Sequence, residues 1–127
     1  MDVTSAVPEG RQYIEGYGAG RFRVSGIDHR GAVLVLRART LAWPVATLAD
    51  MTPESLAPVI EAGRAGEVSV LLLGCGRRMA QVPAALRDHL RAAGVVIEPM
   101  DTGGACRTYN VLLAEDRLVA AALLPID

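Results

Sequence analysis

Gly74-Cys75-Gly76-Arg77-Arg78, followed by a Pro83–Ala93 segment, Val95-Val96-Ile97-Glu98 and Asp101-Thr102-Gly103-Gly104, is the stretch whose reading decides the fold. Pro83 is a helix-start residue, Leu86, Leu90 and Ala93 fall on one helical face, and Gly94 is a stop, so 83–93 reads as a helix. Val68-Ser69-Val70-Leu71-Leu72-Leu73 before it is almost continuously apolar, as a strand covered on both faces is, and Val95–Glu98 is a second strand. A strand, a helix and a strand of these lengths make a β-α-β unit with parallel strands and a right-handed crossover. Both strands then end on one rim of the sheet, and the loops 74–78 and 101–104 are expected side by side. A helix from Ala105 to Ala114, packing through Ala105, Tyr109, Val111 and Leu112, and a buried strand from Leu118 to Leu124 complete this half. The last strand is apolar at both parities, which places it in the middle of the sheet.

Ligands of open α/β sheets sit outside the carboxyl ends of the strands. Gly74, Gly76, Gly103 and Gly104 would let backbone N–H groups approach a ligand there. Arg77, Arg78 and Arg107 supply positive charge, and the start of the Ala105 helix points its dipole at the same space. Thr102 reads as the helix cap. Cys75 and Cys106 fall in the same two loops; small-residue packing outweighs a nucleophilic role because no histidine base is placed to serve them. Glu98 and Asp101 are expected to pair with the arginines. The set Gly74, Cys75, Gly76, Arg77, Arg78, Thr102, Gly104, Cys106 and Arg107 is therefore a candidate binding edge for a small anion, with no residue assigned a catalytic role.

The N-terminal half reads as strands and turns. Residues 1–12 are polar and are expected to fray, leaving 13–127 as the domain. Gly16-Tyr17-Gly18-Ala19-Gly20 lacks the spacing of a dinucleotide loop and leads into a strand, Arg21-Phe22-Arg23-Val24, so it reads as a hairpin turn. Asp28-His29-Arg30-Gly31 is read as the turn to a further strand at 32–36, with His29 solvated, and Trp43-Pro44 as an edge strand or bend with Trp43 anchored in the core. Thr52-Pro53-Glu54-Ser55 opens a helix in which Pro58 either kinks the chain or lies in the unpaired first turn, and Gly63 and Gly66 end it. Asn110 is awkward inside a helix and is expected to bond backbone locally. His89 reads as a core-edge residue.

Composition narrows the function classes. The chain has 127 residues, enough for one domain, and a formal net charge of -1, which gives no basic field for nucleic acid. All 13 basic residues are arginine, so neither a P-loop lysine nor Schiff-base chemistry is available. Two cysteines and two histidines, widely spaced, argue against structural zinc and against any metal site; no cofactor is expected. No apolar run reaches the roughly 20 residues of a spanning helix, and the first residues lack a signal-peptide pattern. The expectation is a cytoplasmic protein that is not integral to a membrane.

Taken together, Gly74-Cys75-Gly76-Arg77-Arg78, Ile97-Glu98-Pro99-Met100-Asp101-Thr102, Cys106-Arg107-Thr108-Tyr109-Asn110-Val111-Leu112 and Arg117 with Val119-Ala120-Ala121-Ala122-Leu123 resemble the Mth938-like family, the DUF498 domain. Tyr17-Gly18, Phe22-Arg23-Val24-Ser25-Gly26, Trp43-Pro44 and Leu72-Leu73 fit the same pattern, so the likeness runs from about Tyr13 to Pro125. Cys75 stands where the family often has threonine, and Asp116 where glycine is common. The resemblance implies a single three-layer α/β domain with a mixed central sheet, one strand of it antiparallel to the rest. It also implies relatives among mitochondrial assembly factors of respiratory complex I, and no established enzyme activity. The expected function is a non-enzymatic protein-interaction module acting on a membrane-associated complex; the alternative is a small-anion binder or enzyme at the 74–78 and 101–107 edge.

Overall fold

The structure, a computed structural model, describes residues 10–127. The frayed N-terminal segment expected from the sequence lies, over residues 1–9, outside them. The described residues form eight strands: β1 (Ile14–Gly18), β2 (Arg21–Val24), β3 (Ile27–Arg30), β4 (Val33–Val35), β5 (Thr40–Ala42), β6 (Val70–Gly74), β7 (Val96–Met100) and β8 (Val119–Leu123). Three α-helices accompany them: α1 (Ala57–Arg64), α2 (Ala84–Ala92) and α3 (Thr102–Ala114).

The central sheet has the order β5-β4-β8-β6-β7. β6 is parallel to both β7 and β8, while β4 is antiparallel to β8 and to β5, so β4 alone runs against the others. β8 is central, as its two-faced apolar pattern requires, and Ala120, Ala121 and Ala122 are all fully buried. Alternation along the strands divides the core. Leu34, Leu71, Leu73, Ala120 and Ala122 face the layer of α1 and α2, with Val59, Ile60, Leu86 and Leu90. Val33, Val35, Leu72, Val119, Ala121 and Leu123 face the third layer, with Phe22, Val24, Ala105, Tyr109 and Leu113. That third layer is α3 beside a separate antiparallel sheet, β1-β2-β3.

Several elements differ from the sequence reading. The strand after β2 is β3 rather than β4: the chain reverses at Ser25-Gly26, both with positive φ (46° and 84°), a mirror-image two-residue hairpin turn. His29 consequently sits in β3 opposite Phe22, half-buried, and not in a turn. The Gly16–Gly20 stretch does form the β1–β2 hairpin, with a bulge between Ile14 and Gly16. Trp43 is buried beyond edge strand β5, and its Nε1 donates to the Ser55 carbonyl at 3.0 Å. Pro58 lies in the first turn of α1. Gly63 does not end that helix. A Cβ there would stand 2.4 Å from Val95 Cγ2 and 2.8 Å from the Ala93 carbonyl oxygen, so the glycine permits a close approach to the segment after α2.

Candidate functional site

β6 and β7 are neighbours with Val70 opposite Val96 and Gly74 opposite Met100, so the loops that follow them do meet. What joins them is a hydrogen-bond ladder continued past the strands. The Cys75 N–H donates to the Met100 carbonyl at 2.8 Å, and the Thr102 N–H to the Gly76 carbonyl at 2.8 Å. The Thr102 hydroxyl, on a fully buried residue, accepts from the Gly76 N–H at 2.9 Å and donates to the Leu124 carbonyl at 2.7 Å. Leu124 N–H in turn donates to the Gly74 carbonyl at 2.9 Å. One threonine therefore fastens the ends of β6, α3 and β8 together.

The other residues of the rim are similarly engaged. α3 begins at Thr102, three residues earlier than its sequence pattern implies, and its cap is Asp101, not Thr102: the carboxylate accepts from the Gly104 N–H at 3.1 Å. The negative group that the helix N-terminus favours is thus the protein's own. Gly103 and Gly104 are helical residues of the first turn. A Cβ on Gly103 would meet the Tyr17 hydroxyl, and one on Gly104 the Asp101 carboxylate. Gly74 lies against Leu123 and Thr102. Close backbone approach is what these glycines serve, with side chains of this chain as the neighbours.

Cys106 is buried among Ile14, Phe22, Ala105 and Tyr109 in the third-layer core. Burial pushes its thiol up to about 12, outweighing the lowering effect of Arg107, which is the reverse of what a nucleophile needs. Cys75 is half-buried against the other core. Arg77, Arg78 and Arg107 are exposed and form no ion pair within 4.0 Å among the described residues. Arg107 Nη1 donates to the Tyr17 hydroxyl at 3.4 Å. Neither Glu98, exposed on β7, nor Asp101 pairs with these arginines as the sequence suggested. Among the described residues no group of three His, Cys, Asp or Glu side chains is placed to hold a metal.

Two features lay outside the reach of sequence reading. Asn110, expected to bond locally, grips β1 instead: its Oδ1 accepts from the Ile14 N–H at 3.0 Å and its Nδ2 donates to the Ile14 carbonyl at 2.7 Å. The second is a cleft of about 550 Å³ away from the rim, lined by segments far apart in the sequence. Arg11, Arg37 and Arg39 line it from the N-terminal segment and the β4–β5 turn; Pro58, Glu61, Ala62 and Ala65 line it from α1. Gln12 fixes this corner: its N–H donates to the Arg37 carbonyl, and its carbonyl and side chain accept from the Tyr109 and Thr40 hydroxyls. None of the rim residues 74–78 or 101–107 lines it.

The fold and rim define a small three-layer α/β domain whose sheet edge is closed by its own hydrogen bonds, and in which no catalytic constellation is assembled among the described residues. The chain belongs to the family described as proteins of unknown function, DUF498/DUF598, whose pattern matches residues 14–124. An uncharacterised protein of Rhodobacter capsulatus is 42% identical over 117 residues, covering 89% of this chain and 84% of its own. NADH dehydrogenase (ubiquinone) 1 alpha subcomplex assembly factor 3 of Danio rerio is 35% identical over 114 residues, covering 88% of this chain; the chain spans 63% of that relative's length. Among solved structures, one described as an outer membrane protein from Bartonella henselae superposes with a TM-score of 0.85 at 36% identity, covering 93% of this chain and 98% of its own. A Mth938-like domain from Bordetella pertussis superposes with a TM-score of 0.81 at 29% identity, over 93% and 88%. Among the described residues of this chain, no helix is long and apolar enough to cross a membrane.

Proposed function

We propose that this chain is a non-enzymatic interaction module that assists assembly of an NADH dehydrogenase-type membrane complex, contacting protein partners from the cytoplasmic side. The observation that carries the reading is the closed rim: the hydroxyl, the capping carboxylate and the thiol that a catalytic site would use are buried or hydrogen-bonded within the fold. The likeness to the Danio rerio assembly factor, across 88% of this chain, supplies the direction. Deleting the gene in its native host and resolving membranes on native gels tests it. The expected result is loss of the mature complex with accumulation of subassemblies, restored by the wild-type gene; normal assembly in the deletion strain refutes it.

One observation favours the second reading, an anion held at the Gly74–Arg78 and Asp101–Arg107 rim: the guanidinium groups of Arg77, Arg78 and Arg107 are exposed without carboxylate partners among the described residues. Thermal unfolding with phosphate, sulfate and citrate decides it. A rise in Tm that disappears in Arg107→Ala supports the rim site, and no rise, or an equal rise in the variant, removes it.

A further inference from the structure

We propose that the cleft between the β4–β5 turn and α1 binds a monoanionic carboxylate carried on a compact aliphatic body. Its volume, about 550 Å³, lies within the roughly 300–1,000 Å³ of small-molecule sites. This site is separate from the rim and does not depend on the assembly reading.

The chemistry of the two walls selects the ligand. Arg11, Arg37 and Arg39 occupy one wall. Arg37 is largely buried, with 17% of its side chain exposed, and donates from Nη2 to Asp116 at 2.6 Å; Arg11 Nη2 lies 3.7 Å from the same carboxylate. The Nε atoms of both arginines are buried, with no hydrogen-bond partner among the described residues. Asp116 thus orients the two guanidinium groups through their Nη2 atoms. A guanidinium fork matches a carboxylate in geometry and charge, and three of them border this cleft.

The opposite wall is different. Pro58, Ala62 and Ala65 present short apolar groups, and Glu61 and Glu67 stand at their margin. None of the three arginines forms an ion pair within 4.0 Å with either glutamate, so the charges remain apart across the cleft. An aliphatic body fits the alanine and proline surface, while the two glutamates disfavour a dianion such as phosphate or a dicarboxylate. The same group can be presented by a free acid or by the C-terminal residue of a peptide.

Titrating the ¹⁵N-labelled full chain by NMR tests the site with hexanoate, hexanamide, and an acetylated tripeptide ending in leucine, with a free or an amidated terminus. Saturable shifts of the Arg39 and Ala65 amides are expected with hexanoate or the free peptide, weakening as sodium chloride rises, and none with either amide. Tighter binding of the peptide assigns a chain end as the source, and tighter binding of hexanoate a free acid; either supports the site. Arg39→Gln, which removes an arginine without an ion-pair partner among the described residues, and Ala65→Phe, which fills the cleft, should each weaken binding about tenfold while leaving the remaining spectrum in place. Absence of saturable shifts up to about 10 mM acid, equal binding of the amides, or unchanged binding in both variants overturns the proposal.

Discussion

Replacing Thr102 with valine should destabilise this protein more than its small change in shape suggests. Valine keeps the β-branched outline and has nearly the helix propensity of threonine, so neither packing volume nor the first turn of α3 is disturbed much. What disappears is one oxygen that accepts from Gly76 N–H and donates to the Leu124 carbonyl. Both partners are left without a bond at a residue with no solvent exposure. An unsatisfied buried group costs about 1–3 kcal/mol, and Gly76, being half-buried, recovers part of its loss from water. The two together come to about 2–4 kcal/mol. For a domain of this size that is a fall in Tm on the order of 8–16 °C. Thr102→Ser is the control: it keeps the hydroxyl and loses one methyl, about 1 kcal/mol. Urea unfolding followed by circular dichroism gives both values, and hydrogen exchange at Gly76 reports the rim directly. If the valine variant is as stable as the serine variant, or lies within about 0.5 kcal/mol of wild type, the rim is not held by this threonine and the reasoning fails.

Asn110→Leu should cost about 1–2 kcal/mol and accelerate amide exchange at Ile14, because both bonds from α3 to the Ile14 backbone come from that one side chain; unchanged exchange would show that Ile14 is held by other contacts. Gly63→Ala should destabilise by about 1–3 kcal/mol in urea although alanine ordinarily favours a helix, since the new methyl meets the Ala93 backbone. For Cys106, burial raises the folded thiol to about 12 from 9.0, so the folded state keeps a proton that the unfolded chain releases. Its stabilisation is complete below pH 9 and falls as pH rises from there toward 12, by at most about 1.4 kcal/mol per unit; Cys106→Ala should flatten the alkaline side of a urea-midpoint profile. In the same protein at pH 8, a thiol reagent should modify Cys75 well before Cys106, with Cys106 reacting only on addition of denaturant.

The β-α-β core was legible because its signals are local and redundant. Pro83, the Leu86–Leu90 spacing and Gly94 bound one helix, and the two-faced apolar run of Val119–Leu123 could belong only to a strand covered on both sides. The meander was less so. Ser25 carries a positive φ that usually marks glycine or asparagine, so the turn before β3 was hidden, and His29 was drawn into a turn that does not exist. Gly63 illustrates a related ambiguity: a glycine that stops a helix and one that lets a helix touch its neighbour look alike until the neighbour is known. Asn110 and the arginine cleft depend on contacts between residues far apart in the chain, which no window of sequence contains.

The rim shows a deeper reason why a site is harder to read than a fold. Glycines, a threonine, an aspartate and a helix start are the ingredients of an anion site, and topology did bring them together. The same ingredients also close a sheet edge, since the hydroxyl that would steady a ligand can bond Gly76 and Leu124, and the helix that would attract an anion can be capped by Asp101. Composition cannot distinguish a donor offered to a ligand from one consumed by the fold; only its hydrogen-bond partner can. Applied to the described residues, that criterion points away from the rim, where the buried Thr102 hydroxyl is matched, and toward the arginine cleft, where Arg39 has no ion-pair partner among them.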